Sequence, residues 1–459
     1  MQSAAKAETG VDASARRKVL GAGLIGSSLE WYDFFIYATA AALVFPTVFF
    51  PDSAAVTGTL LSFSTFWAGF LARPLGGVVV GHLGDKFGRK PAVVGCLLLM
   101  GTATFTIGLL PSAATIGVFA PILLVTLRFL QGFAVGGQWG GLALLTIESA
   151  PARRRGFAGT FAQMGVPLGV ILGNSAFLIV GALVSESAFL DWGWRVPFLL
   201  SALLIPIALF VQMRIEETPA FKQAKAEAAK RTEGVESAPL TEAIKTKWRT
   251  ILLASGILFV TNAIFYVSIA GVLDYGTREL GLERNALLVA ILISSALTVG
   301  GILLAGAWSD RVGRRLPTMI GAGLLTLVAF PFFWLIDTGS VGLIAVALIL
   351  GGIGTSLTYG PAAAFLGELY EARMRYSGAS LSYQLAAILI SGGTPFITTA
   401  LLEATGTSAS VSAFLFVLGL ITLFCAVKLP ETAPAKLEQD AGSGAAATNR
   451  PASASASVS

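Results

Sequence analysis

Long apolar runs, each about the length that crosses a bilayer, recur along this chain and are broken by short Gly, Pro or charged stretches. A spanning helix needs about 20 predominantly apolar residues. On that criterion the pattern predicts twelve spans, six at 19–45, 57–81, 91–110, 117–146, 157–183 and 196–214, and six at 250–273, 286–308, 317–337, 342–366, 377–402 and 410–428. The predicted fold class is an all-α integral membrane protein with an N-terminal half at 19–214 and a C-terminal half at 250–428. A polar segment at 1–18 precedes them, a linker at 215–249 rich in Glu, Lys and Ala joins them, and a tail at 429–459 follows. The tail turns to Ala, Ser, Pro and Gly, which bury too little apolar surface to offset ordering entropy, so disorder is expected there.

Composition agrees with lipid as the solvent. Of 459 residues 55% are hydrophobic and 12% charged, against roughly 25% charged in soluble domains. The 52 glycines suit close packing of helices where burial against lipid gives little driving force. Cys96 and Cys425 each fall inside an apolar run and read as small buried hydrophobes, so no disulfide is expected. The first span follows Arg16-Arg17-Lys18 and is too long for the core of a signal peptide. On this topology 26 of the 31 Lys and Arg lie on the side of the N-terminus, which predicts cytoplasmic termini. The net charge of +5 follows from that asymmetry rather than from a face that binds nucleic acid.

An internal repeat supports two duplicated halves. GHLGDKFGRK at 81–90 returns as GAWSDRVGRR at 306–315, with Asp85 and Asp310 separated by 225 positions. Glu148, Arg153 and Arg155 return as Glu368, Arg373 and Arg375 at an offset of 220, and Gln163 returns as Gln384 at 221. Six spans per half make the repeats parallel, related by an axis along the membrane normal.

Ionisable residues inside a bilayer are costly and mark function by default. Glu30 and Asp33 share one face of the first span, with Tyr37 a turn further on. Helical rise places these acids on the order of 16–21 Å from the cytoplasmic end, and Arg128 roughly 16 Å in from the outer end. This shared layer suggests that protonating Asp33 or Glu30 frees Arg128, a bidentate donor, to take a substrate carboxylate. The competing reading is a structural ion pair. Arg73, about 24 Å into the second span, is expected to snorkel or to pair with Glu148 in a structural or gating role. Asp85 with Arg89, and Asp310 with Arg314, are expected to gate the cytoplasmic face. Gln138, Gln163, Asn174, Asn262, Tyr266, Tyr359, Tyr383 and Gln384 are candidates to line a central cavity, with interhelical hydrogen bonding as the alternative. Trp31 and Trp139 flank the charged positions. His82, the single histidine, lacks a ligand set for a metal and reads as an interfacial residue.

The doubled G-x-x-x-D-[RK]-x-G-R-[RK] loop resembles the signature of the major facilitator superfamily over residues 19–428. LEWYDFFIY at 29–37, ARPLGGVVVGHLGD at 72–85, LRFLQGFAVGGQWGG at 127–141, WGWRVPF at 192–198 and RYSGASLSYQ at 375–384 resemble its metabolite:proton symporter family, in particular members that carry shikimate. The resemblance implies alternating-access, proton-coupled uptake of a small shikimate-like, aromatic or dicarboxylic acid across a bacterial plasma (inner) membrane, by a monomer. Gln138 stands where that family often has an acidic residue, and GVPLGVILG at 165–173 lacks the Gly-Pro pair typical of drug/proton antiporters. Uptake of a zwitterion such as proline or betaine, uncoupled exchange and a transporter-like sensor are the alternatives. No catalytic residue, metal or cofactor is expected: one His and two separated Cys offer no nucleophile–base pair or metal cluster.

Overall fold

The structure, a computed structural model, describes residues 13–87, 89–136, 139–203, 206, 239–371 and 374–434. In the first half α1 is Ala13–Leu43, α2 Ala55–Phe87, α3 Arg89–Leu109, α4 Phe119–Val135 continued by Trp139–Glu148, α5 Ala152–Leu183, and α6 begins at Arg195–Leu199. In the second half α7 is Glu242–Arg278, α8 Arg284–Val312, α9 Arg315–Ile336, α10 Val341–Glu368, α11 Arg375–Thr405 and α12 Ala409–Lys428. Eight of these are long and apolar enough to cross a membrane. Large apolar side chains stand exposed on the outer surface, as at Leu183, Leu304 and Leu327, where lipid would cover them.

Several helices outrun the predicted spans at the end of the bundle that carries Asp310. The α2 helix has 33 residues, about 50 Å at the helical rise, well beyond a hydrocarbon core of about 30 Å. Two boundaries need correction. Helix begins at Pro239, so the final part of the expected linker belongs to the second half; residues 215–238 lie outside the described residues. The tail expected to be disordered from 429 is ordered as far as Ala433: Glu431 accepts from the backbone N–H of Arg314 and Arg315 at 2.7 and 3.1 Å. This carboxylate caps the start of α9, where free N–H groups attract negative charge.

Glycine sets the separation of α2 and α4. A Cβ on Gly132 would strike the carbonyl of Gly69, one on Gly136 the carbonyl of Arg73, and one on Gly76 the carbonyl of Phe133. The two backbones therefore touch over two turns. Arg73 lies one turn beyond Gly69, and Arg128 one turn before Gly132, so the two arginines flank this crossing from opposite sides. The second half repeats the arrangement with larger residues: a Cβ on Gly352 would meet the hydroxyls of Thr298 and Ser294, joining α10 to α8. Among the described residues three π turns interrupt the helices, at Phe189–Gly193, Val267–Gly271 in α7 and Ala387–Ser391 in α11. Such turns free backbone groups for other partners, and the carbonyl of Ile388 in α11 accepts from Trp67 Nε1 of α2 at 3.1 Å.

Because the α2–α4 contact is backbone on backbone, it cannot relax by rotating a side chain. Gly132→Ala is expected to cost about 1–3 kcal/mol by overpacking and to lower the thermal unfolding midpoint in detergent. Gly323→Ala on α9, where a Cβ meets nothing within 4 Å, is the control and should leave the midpoint unchanged or slightly raised.

Candidate functional site

Arg73 and Arg128 are fully buried in an aromatic box. Arg73 Cζ lies 4.2 Å from the ring centroid of Phe70, 4.7 Å from Phe34 and 5.8 Å from Trp31. Arg128 Cζ lies 4.1 Å from Phe34, 4.2 Å from Tyr37 and 4.7 Å from Phe66. Aromatic faces attract a guanidinium and are worth up to about 2 kcal/mol each when desolvated. They leave its N–H groups unbonded, and Nε and Nη2 of both arginines have no hydrogen-bond partner. Arg128 Nη1 donates to Gln131 Oε1 at 3.1 Å.

This arrangement corrects two expectations. Arg73 neither snorkels nor pairs with Glu148, because α2 continues to Phe87 and carries Arg73 to its middle; Glu148 instead pairs with Arg375 at 3.5 Å. Nor does Arg128 form an ion pair with Asp33 or Glu30. The two acids do sit in the same region of α1. Glu30 lies deep in the bundle, where its charge acts on Arg73, yet it keeps accessible surface and so faces open space. Asp33 is buried beside Thr104, and its Oδ1 has no partner. Thr104 accepts from Gln131 Nε2 at 2.7 Å. Asp33 therefore neighbours a hydrogen-bonded path, Thr104 to Gln131 to Arg128, in place of a direct contact. Gln131 was missed from sequence, although its position three residues beyond Arg128 on a helix was a signal.

The polar residues proposed for a central cavity divide into three groups. Tyr37 lies under Arg128 and bonds Thr65 through its hydroxyl at 2.6 Å, and the hydroxyls of Tyr359 and Tyr383 meet at 3.3 Å. Tyr266 packs on Phe66 and Phe70 and closes the aromatic box from the second half. Asn174 accepts from Thr39 at 2.6 Å within the first half, an interhelical bond, while Asn262 is buried on α7. Gln163 and Gln384 do not line an open cavity. Gln163 Nε2 donates to the carbonyl of Tyr359, and Gln384 Nε2 to the carbonyl of Gly136, both at 3.2 Å and both across the interface between halves. The pseudo-symmetric pair is thus a reciprocal clasp. Gln138 and the side chains of His82, Asp85, Arg89 and Trp139 lie outside the described residues.

Internal symmetry exposes an asymmetry of chemistry. The offset of 225 carries Arg73 onto Thr298, and that of 220 carries Arg128 onto Leu348. Thr298 and Leu348 line a cavity with Ser268, Ser294, Ser295 and Thr355. Where the first half places two cations, the second places an uncharged hollow with hydroxyl groups.

Contacts between halves close both ends of the bundle. At the basic end, Asp310 of α8 accepts from the backbone N–H of Gly156 and Phe157, both at 2.8 Å. The second-half carboxylate thus sits where first-half helix α5 begins. Arg314, fully buried, holds Asp310 at 2.8 Å and Glu368 at 3.1 Å. Glu148 of the first half pairs with Arg375 of the second at 3.5 Å, and the charge of Glu368, which is bound to Arg314, acts on Arg155 of the first half. At the opposite end Arg284 of α8 pairs with Glu186 at 3.1 Å. The charged site is enclosed from both directions.

Comparisons with known proteins agree with this architecture. The family model described as Major Facilitator Superfamily matches residues 23–392. The chain is 42% identical over 391 residues to the "Inner membrane metabolite transport protein YhjE" of Escherichia coli (strain K12), covering 84% of this chain and 87% of the relative. It is 40% identical to the "Shikimate transporter" of the same strain, covering 84% and 88%, and 34% identical to its "Proline/betaine transporter", covering 92% and 85%. Among solved structures, that of the proton:xylose symporter XylE bound to 6-bromo-6-deoxy-D-glucose matches with a TM-score of 0.71 at 17% identity, over 94% of this chain and 99% of that one. At that identity the match speaks for the fold. The protein is a membrane transporter of metabolites and not an enzyme. The chain belongs to the major facilitator superfamily and, within it, to the metabolite:proton symporter family.

Proposed function

We propose that this transporter takes a small carboxylated metabolite into a bacterial cell across the inner membrane, together with protons, by alternating access. The observation that carries the reading is Arg128: buried, fixed by aromatic faces and Gln131, and left with Nε and Nη2 unbonded. Those two atoms form the side edge of the guanidinium, the geometry that grips a carboxylate bidentately. Asp33 and Glu30 supply the proton sites. A proton on Asp33 removes a charge that the closed bundle leaves without a cation, so closure and protonation favour each other.

The basic end is cytoplasmic in this reading, from the excess of Lys and Arg there. Opening to the cytoplasm breaks the bonds of Asp310 to Gly156 and Phe157, and opening to the outside breaks Arg284–Glu186. The glutamine clasp of Gln163 and Gln384 must also part, and their orphaned Oε1 atoms are then free to meet substrate. A zwitterionic substrate is the second reading, favoured by the 34% identity to the proline/betaine transporter; its carboxylate would use Arg128 in the same way.

Reconstituted in liposomes with an inward proton gradient, the wild type is expected to accumulate a carboxylic acid several-fold above its external concentration. In Asp33→Asn accumulation should fall to equilibration, with counterflow of substrate retained. Uphill uptake by that variant at the wild-type level would refute proton coupling through Asp33. For the gate, Asp310→Asn should speed labelling of a cysteine placed at Thr160, in a background lacking Cys96 and Cys425, by an impermeant maleimide at the basic end. An unchanged labelling rate would remove Asp310 from the gate.

A further inference from the structure

A furrow of about 320 Å³ runs along the outer surface of the second half between α8 and α10. Its walls are Leu297, Leu304 and Trp308 of α8 with Ile349 and Ile353 of α10, and its floor is the seam where Gly301 meets Ser356 and Gly352 meets Thr298. Leu297, Leu304, Trp308 and Ile353 stand exposed along it. The internal repeat gives the reason for the opening. Offsets of 225 and 220 carry Gly76 onto Gly301 and Gly136 onto Ser356. Where Gly136 lets α4 touch α2 backbone to backbone, the side chain of Ser356 stands against Gly301 and keeps α10 off α8. We infer that the furrow binds one anionic phospholipid from the leaflet at the basic end, with an acyl chain along the furrow and the phosphate on Arg311. This site is independent of which metabolite the transporter carries.

Three features fix the occupant. The first is length. From Leu297 to Trp308 α8 rises about 16 Å, which matches the share of one leaflet, about 15 Å, in a hydrocarbon core about 30 Å thick. The second is the order of chemistry along one face. Positions 297, 301, 304, 308 and 311 recur every three or four residues and share one side of α8, so the apolar stripe runs into Trp308 and then, one turn on, into Arg311. Tryptophan favours the level of the lipid headgroups. The indole N–H of Trp308 has no hydrogen-bond partner among the described residues, which leaves it to an ester or phosphate oxygen. The third is charge. Arg311 is exposed and enters no ion pair among the described residues. The nearby carboxylates are engaged elsewhere, Asp310 by Gly156, Phe157 and Arg314, and Glu431 by the start of α9. A basic residue at the membrane surface attracts anionic lipid, and a chain seated beside it adds the apolar contact that surface charge alone lacks. Arg311 adjoins Asp310, so the lipid sits beside the contact that closes the basic end.

Native mass spectrometry of the delipidated full chain tests this, by counting the lipids retained after incubation with phosphatidylglycerol or with phosphatidylethanolamine of the same acyl chains. The wild type should hold one phosphatidylglycerol at an occupancy at least fivefold above that of phosphatidylethanolamine. Arg311→Gln should bring the two lipids within twofold of each other, and Arg311→Lys should keep the preference. Ile353→Trp fills the furrow from an exposed position and should lower phosphatidylglycerol occupancy at least fivefold. Two controls at exposed positions, Leu327→Trp on α9 and Arg154→Gln at the basic end, should match the wild type. A preference that survives Arg311→Gln overturns the inference, as does an occupancy that survives Ile353→Trp. Equal losses in Arg311→Gln and Arg154→Gln overturn it too, because the attraction would then belong to the basic surface as a whole. Displacement of the bound lipid by glycerol phosphate as readily as by phosphatidylglycerol also overturns it, since the chain would then contribute nothing.

Discussion

Two guanidinium groups lie against the faces of Phe34, Phe66, Phe70 and Tyr37 with most of their hydrogen-bonding capacity unused. Cation–π contact recovers up to about 2 kcal/mol per ring, which offsets part of the cost of desolvating a guanidinium and its unbonded N–H groups. The remainder is carried by the rest of the bundle. Glycine at 69, 76, 132 and 136 lets α2 and α4 meet backbone to backbone, with Arg73 and Arg128 flanking the contact and both reaching the ring of Phe34. The second half contributes Tyr266 to the same box, so the energetic debt of the arginines is coupled to how the halves close.

That coupling explains why the closed contacts are individually modest. Asp310 on two backbone N–H groups, Arg284 with Glu186, Glu148 with Arg375 and two glutamine–carbonyl bonds are each worth about 0.5–3 kcal/mol by the usual range for neutral and charge-assisted bonds. A transporter must exchange its two access states, and a ligand shifts such an equilibrium only by its differential affinity for them. A carboxylate on Arg128 would contribute most in the enclosed state, where water is excluded and the donors are fixed.

Much of this was legible from sequence. The apolar runs marked the helices, and the doubled Asp and Arg pointed to the Asp310–Arg314 pair that now stands between the halves. Of the residues expected in one layer, Tyr37 meets Arg128, whereas Asp33 neighbours it only through Thr104 and Gln131 and Glu30 acts on Arg73. Arg73 was not expected there, because its depth was measured along a span that ended at 81, whereas α2 runs to Phe87. The pairing of Arg128 with an acid was expected because periodicity gives depth but not direction around the helix. The pairing of Glu148 with Arg375 across the halves was equally hidden, since a repeat cannot reveal whether equivalent residues pair within a half or across halves. Glu431 looked like the start of a disordered tail because a cap on a distant helix, α9, leaves no local pattern.

The central claim is that a substrate carboxylate meets the free edge of buried Arg128 while Asp33 takes up a proton, and proton uptake on binding measures it most directly. Titration calorimetry of the purified protein with a carboxylate that it accumulates, repeated in buffers of different ionisation enthalpy, yields the number of protons taken up per ligand bound. The account predicts net uptake near neutral pH that falls when Asp33 is replaced by Asn. Binding that takes up no protons in any buffer would contradict it.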